Sequence, residues 1–230
     1  MFTPGSRSIR RTTVAVVALM SLLVSASLFA QVAPGDHARW EPSIRAFEDQ
    51  DRHTPPSKGG IVFVGASSIV RWNLAAFFPD LNVLNRGFGG SEMADAAHFA
   101  ARTVLPYEPR IVVLYPGEND IARGVTPETV AEGLERFVAT VRGALPQTKI
   151  LVIGLKPTPA RWQFNGAMLK TNELFRAIAA REDAVTYIGV TNAMLGPDGL
   201  PRPDLFVEDR QHLSRAGYEI WTEIVRPHLE

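Results

Sequence analysis

Four apolar residues, Ile61-Val62-Phe63-Val64, run straight into Gly65-Ala66-Ser67-Ser68, and a helical pattern follows. An apolar run of that length, closed by a small-residue turn, reads as a strand buried on both faces, as in a parallel sheet. The rest of the chain repeats the arrangement. Strands are expected at Asn82–Asn85, Ile111–Tyr115, Lys149–Leu155 and Val185–Ile188. Between and after them the spacing predicts helices over Val70–Phe77, Glu92–Val104, Thr126 to about Arg142, Asn165–Arg181 and Ser214–His228. Thr126-Pro127-Glu128 marks one start, with a capping side chain and a proline in the first turn. Strands separated by single helices imply right-handed crossovers. The expected fold class is therefore α/β: a three-layer, flavodoxin-like fold with a central, mainly parallel five-stranded sheet and helices on both faces. No internal repeat, low-complexity tract or second domain breaks the alternation.

Two segments precede this body. Residues 31–57 form a lead-in in which Trp40, Ile44 and Phe47 recur at helical spacing, before Pro55-Pro56 and Gly59-Gly60 interrupt it. Residues 1–30 have the layout of an export signal: Arg7, Arg10 and Arg11, then a nearly uncharged apolar run to Ala30. Cleavage is expected after Ala30, giving a periplasmic or secreted protein. The alternative is an uncleaved anchor, since Thr12–Ala30 is long enough to just span a bilayer. The body to carry chemistry is then residues 58–230. Those three arginines are the leader's only charges, so the chain from residue 31 onward carries −3 against 0 for the whole. Neither balance implies nucleic acid as a partner. With no cysteine at all, disulfides, thiolate catalysis and zinc–thiolate sites are excluded.

In open α/β sheets, sites form beyond the carboxyl ends of the strands. A serine there, opening a helix, holds its hydroxyl at the sheet rim beside backbone N–H groups that have no helical partner. That suits a nucleophile whose attack creates an oxyanion. The competing possibility is that Ser67 or Ser68 only caps the helix. Three further loops carry unusual residues: Gly89-Gly90, Gly117-Glu118-Asn119-Asp120, and Asp209-Arg210-Gln211-His212. Ester hydrolysis needs a nucleophile, a base, a group that orients the base, and oxyanion donors. One of each is available at one rim. A dinucleotide loop is not, because Glu92 stands where its third glycine is required. No metal-ligand spacing occurs; His37, His53 and His228 carry no signal, and His98, among alanines in an expected helix, reads as packing or solvent-facing. No cofactor is implied.

These blocks resemble the SGNH hydrolases, also called GDSL-type esterases and lipases, over essentially all of residues 58–230. Gly65-Ala66-Ser67-Ser68-Ile69 corresponds to the first block, Gly90 to the glycine of the second, Gly117-Glu118-Asn119-Asp120 to the third and Asp209-Arg210-Gln211-His212 to the last. The resemblance implies a serine hydrolase in which Ser67 is the nucleophile, His212 the base and Asp209 its orienting partner. The Ser67 and Gly90 N–H groups and the Asn119 side chain would form the oxyanion hole. One departure stands out: Ala66 replaces the family's aspartate, so the serine loop must be held in another way. Ser68 is the alternative nucleophile if the register slips by one.

The expected substrate is a small-molecule ester, in particular a short acyl ester of a polar or carbohydrate alcohol, because no lid-like apolar insertion is found. Hydrolysis of longer acyl chains, as by a lysophospholipase, is the alternative. A catalytically idle carbohydrate-binding protein on the same fold is a third possibility. Trp72, Arg161 and Trp162 are candidate substrate contacts, Arg161 and Trp162 lying on a loop stiffened by Pro157 and Pro159. The competing possibility is that Trp162 packs on the next helix and Arg161 is solvated. Oligomeric state is left open.

Overall fold

In the computed structural model, Met1, Phe2 and His37–Glu230 are described. Apart from its first two residues, the expected leader lies outside the described residues. Helix α1 (Glu41–His53) comes first. Five strands follow, β1 (Ile61–Gly65), β2 (Val83–Gly87), β3 (Ile111–Tyr115), β4 (Lys149–Ile153) and β5 (Val185–Ile188), in the order β2-β1-β3-β4-β5 and parallel throughout. Helices α2 (Ser67–Val70) and α3 (Leu74–Phe77) link β1 to β2, and α4 (Met93–Thr103) links β2 to β3. After β3 come α5 (Glu118–Ala122) and α6 (Pro127–Ala144), then α7 (Asn165–Arg181) after β4 and α8 (Arg215–Val225) after β5. Every residue of β1 and β3 is buried, as their unbroken apolar runs require.

The helices make two layers. Helices α4, α6 and α7 pack side by side. On the other face an aromatic cluster ties the α2–α3 region to α8: Trp72 packs on Phe63, Phe78, Tyr218 and Trp221 at centroid distances of 5.4–5.6 Å. Trp72 is 1% exposed, so its expected place as a substrate contact is wrong. The same tryptophan explains why the single helix expected over Val70–Phe77 is two. The chain bends between α2 and α3 to deliver the indole into the core. Asn73 then caps α3 by accepting from the Ala76 N–H at 3.2 Å. The last helix stops at Val225 rather than His228 and tightens into a 3-10 turn over Arg226–His228, because Pro227 has no N–H to continue the ladder.

The lead-in is bound tightly to the body. Ile44 is fully buried with Phe88 and Phe99, and Trp40 and Phe47 pack against them. Arg86, 3% exposed, donates from Nε to the Tyr107 hydroxyl at 2.7 Å and ion-pairs through Nη2 with Asp51 of α1. Arg102 grips Glu41 and Glu48 of the same helix. Removing one partner of a buried ion pair leaves an uncompensated charge, which is far costlier than never having had the pair. Asp51→Ala should therefore destabilise the protein by about 3 kcal/mol, the low end for such pairs because Asp51 is partly exposed. Urea unfolding measures it. A loss under about 1 kcal/mol would mean that the Tyr107 hydroxyl and the Asn85 carbonyl suffice for Arg86.

Candidate active site

Strand β1 ends in Gly65 at φ +151, and a Cβ there would come within 2.3 Å of the Tyr115 carbonyl on neighbouring β3. Only glycine lets the two strand ends lie this close. Ala66 is extended, and Ser67 opens α2 at the carboxyl edge of the sheet. In place of an aspartate at position 66, three side chains pin the loop. The Tyr218 hydroxyl donates to the Ser68 carbonyl at 2.8 Å, Asn85 Nδ2 donates to the Ile69 carbonyl at 2.7 Å, and Lys156 Nζ lies 3.3 Å from Ser68 Oγ.

Ser67 and Ser68 are thereby separated in kind. The Ser68 hydroxyl is buried against Lys156, whereas Ser67 Oγ lies 2.8 Å from His212 Nε2. His212 Nδ1 is 2.6 Å from Asp209 Oδ2. An ionised carboxylate only accepts, so the ring proton sits on Nδ1 and Nε2 is left to accept from the Ser67 hydroxyl. The loop is built to present this pair. Asp209 Oδ1 accepts from the N–H groups of Gln211 at 2.9 Å and His212 at 2.8 Å, folding the chain around the carboxylate. Arg210 takes a left-handed conformation, φ +59, to allow it. The Val207 N–H donates to the His212 carbonyl at 2.9 Å, and the Ala160 N–H to the Arg210 carbonyl at 3.1 Å. Desolvation pushes the Asp209 carboxyl up, but those two N–H groups and the imidazole outweigh it and hold the carboxyl well below the usual range. Arg71 Nη1 stands 3.7 Å away on the solvent side.

The opposite wall is the Gly89-Gly90 loop and α5. A Cβ on Gly89 would lie 4.0 Å from that of Ser67, which puts this loop beside the serine. Gly90 takes φ +79, a backbone conformation that strains any other residue, and a Cβ there would come within 3.2 Å of the Trp40 ring of the lead-in. Neither the Ser67 nor the Gly90 N–H has an acceptor among the described residues. Asn119 sits on the first turn of α5, a short helix where a loop was expected. Its Nδ2 donates to the Ser91 carbonyl at 3.0 Å and its Oδ1 accepts from Arg161 Nη2 at 3.0 Å. Ser67, Gly90, Asn119, Asp209 and His212, the five residues expected to form the site, are thus brought to one rim. Arg161 is not simply solvated: it is bonded to Glu118 and Asn119, and 17% of its side chain stays exposed. Trp162 is half-buried in the 3-10 turn Pro159–Phe164.

Nothing in the sequence pattern singled out Glu118 or Lys156. Lys156 is 0% exposed and pairs with Glu118, which also holds Arg161. Burial pushes Glu118 up, and the two cations more than offset it, leaving the carboxyl below its usual range. A hint was available: a lysine at the end of an apolar strand must find an anion. Among the described residues no group of three His, Asp or Glu side chains is placed to hold a metal ion.

The sequence model of the GDSL-like Lipase/Acylhydrolase family matches residues 63–220, and the chain belongs to that family. It is 28% identical over 199 residues to the platelet-activating factor acetylhydrolase IB subunit alpha1 of Bos taurus, covering 82% of this chain and 81% of that protein. A solved chain from Streptococcus pneumonia shares the fold with a TM-score of 0.75 at 20% identity, over 84% of this chain and 94% of that one. An acetylxylan esterase from Geobacillus stearothermophilus does so with a TM-score of 0.60 at 18% identity, over 74% and 94%.

Asp120 has a different task. Both its oxygens accept from the Met93 N–H that opens α4, at 3.0 and 3.1 Å. Burial, with Glu92 and Asp95 nearby, raises its carboxyl to about 7 despite that N–H. A carboxyl that binds its proton more tightly when folded stabilises the fold at low pH, and that contribution is lost as pH rises from about 4 to about 7. Asp120→Asn keeps an acceptor for Met93 and removes the titration. Its melting temperature should exceed that of the wild type at pH 8 and fall less between pH 4 and pH 7. Parallel profiles for the two proteins would place the titration elsewhere.

Proposed function

We propose that the protein is a serine esterase acting on carboxylic esters. One observation carries this: the unbroken hydrogen-bonded chain from Ser67 Oγ through both ring nitrogens of His212 to Asp209. His212 Nε2 takes the hydroxyl proton as Ser67 attacks the ester carbonyl, and Asp209 stabilises the imidazolium that results. The carbonyl oxygen becomes an oxyanion, held by the Ser67 and Gly90 N–H groups and by the second Nδ2 hydrogen of Asn119. The imidazolium then returns its proton to the leaving alcohol. Water enters by the same route, with His212 again as base, and releases the acid from Ser67.

Several features support a short acyl group, acetyl first, on a polar or carbohydrate alcohol. The irregular stretch Asn192–Glu208 is a fixed wall. Leu195 and Pro201 form a bridge, and Leu205 and Phe206 are buried at 0% and 7% exposure. From His37 on, the large apolar side chains that stand exposed are Val70, Leu169, Leu200 and Val207, too scattered for the broad greasy surface of a lipase. Of the similar proteins, one is an acetylhydrolase and another an acetylxylan esterase by name. Export is supported by the charge and hydropathy layout of residues 1–30; a mature N-terminus at Gln31 on exported material would establish it, and a retained Met1 would oppose cleavage.

Ser67→Ala should lower kcat toward background, by roughly 10⁴-fold or more, while Ser68→Ala keeps most activity. Reversed phenotypes would shift the nucleophile by one residue. Across p-nitrophenyl acetate, octanoate and palmitate, kcat/KM should fall with chain length. A value that climbs to palmitate would instead indicate a long-chain acylhydrolase.

A further inference from the structure

The esterase mechanism leaves one buried charged cluster without a role. Glu118 Oε2 accepts from the Tyr115 hydroxyl at 2.7 Å and pairs with the Lys156 ammonium. Its Oε1 pairs with Arg161 Nη1 at 3.0 Å. That same Nη1 reaches the Glu118 carbonyl at 3.2 Å, and Nη2 reaches Asn119 Oδ1 at 3.0 Å. Lys156 Nζ also lies 3.3 Å from Ser68 Oγ. The cluster therefore runs from the residue after the nucleophile to the oxyanion asparagine. Burying three charges is expensive, and apolar packing of the same volume would hold a loop at least as well.

An asparagine amide is two-fold ambiguous. Turned one way it offers an N–H to the oxyanion; turned the other it offers a carbonyl oxygen, which repels it. Guanidinium only donates and a backbone carbonyl only accepts. The contacts of Asn119 to Arg161 and to the Ser91 carbonyl therefore require the same orientation, and a flip breaks both. We propose that Arg161 is a positioning residue for catalysis: its guanidinium fork, braced by Glu118 and Lys156, locks the Asn119 amide with Nδ2 toward the developing oxyanion. Arg161 is brought there by a stiff loop. Pro157 and Pro159 flank Thr158, whose hydroxyl accepts from the Arg161 N–H at 3.2 Å. Lysine cannot replace the fork, since a single ammonium cannot bridge Glu118 and Asn119 in one plane.

This assignment rests on the esterase mechanism proposed above, and a double-mutant cycle separates the two. The variants are Asn119→Ala, Arg161→Ala, Arg161→Lys and Asn119→Ala/Arg161→Ala, assayed on p-nitrophenyl acetate, with thermal melts confirming folding. Asn119→Ala should lower kcat by roughly 10²–10³-fold. Either Arg161 variant should lower it by roughly 10–100-fold with KM little changed, because an oxyanion donor acts only in the transition state. Added guanidinium should restore part of the Arg161→Ala activity. In the Asn119→Ala background the second substitution should cost nothing further, since the amide it positions is gone. Arg161→Lys keeps a cation beside Glu118, so it remains informative if the alanine variant does not fold. Undiminished kcat in Arg161→Lys, or losses that multiply in the double variant, would overturn the positioning role. Undiminished kcat in both Ser67→Ala and Asn119→Ala would instead overturn the esterase mechanism beneath it.

Discussion

Parallel strands all end at one edge, and the chemistry of this molecule is hung from that edge. The pairing of β1 with β3 places Gly65 opposite Tyr115, so the loops after those strands are neighbours by construction. Ser67 follows the first and Asn119 the second. The β2 loop, with Gly89 and Gly90, lies on the far side of β1 for the same reason. Without a residue lacking Cβ at position 65 the strand ends cannot approach, and the serine and the asparagine separate. The histidine loop needs no strand end. It is held by the Phe206–Leu213 bridge and by the Asp209 carboxylate, around which its own backbone folds.

Two kinds of anchoring hold the rim, and they fail differently. On the α8 side the anchor is apolar. Trp72, Phe78, Tyr218 and Trp221 fill the space beneath the serine loop, and the Tyr218 hydroxyl reaches up to the Ser68 carbonyl. Behind the asparagine the anchor is ionic, and each member satisfies the next. Apolar packing tolerates small shifts, whereas a hydrogen-bonded ionic cluster admits few geometries. The ionic anchor sits where a donor must point in one direction, and the apolar one where a loop must simply stay in place.

Strands β1 and β3 were legible because the unbroken apolar runs Ile61–Val64 and Ile111–Tyr115, each bounded by turn residues, fit strands buried on both faces. Helices with caps and prolines, such as the one opened by Thr126 and Pro127, were equally plain. The blocks of the candidate site could be picked out because each falls at a strand end or before a helix. Trp72 was misplaced for a physical reason. Periodicity could not show that the chain breaks after α2 to bury it. Arg161 presented the reverse problem: a lone arginine in a loop looks solvated until its partners, more than forty residues back, are folded against it. Lys156 hinted at a buried anion, but not at Glu118, since a buried ion pair is a relation between distant positions.

Among the described residues, Ser67 is the serine whose hydroxyl bonds a histidine that is in turn held by a carboxylate, and the proposed mechanism makes it the activated hydroxyl. A fluorophosphonate reacts only with a serine whose proton is drawn off by a base. Peptide mapping after labelling should find the adduct on Ser67 alone, with His212→Ala slowing labelling by orders of magnitude. An adduct on Ser68, or labelling at an undiminished rate without His212, would contradict the assignment of the catalytic site.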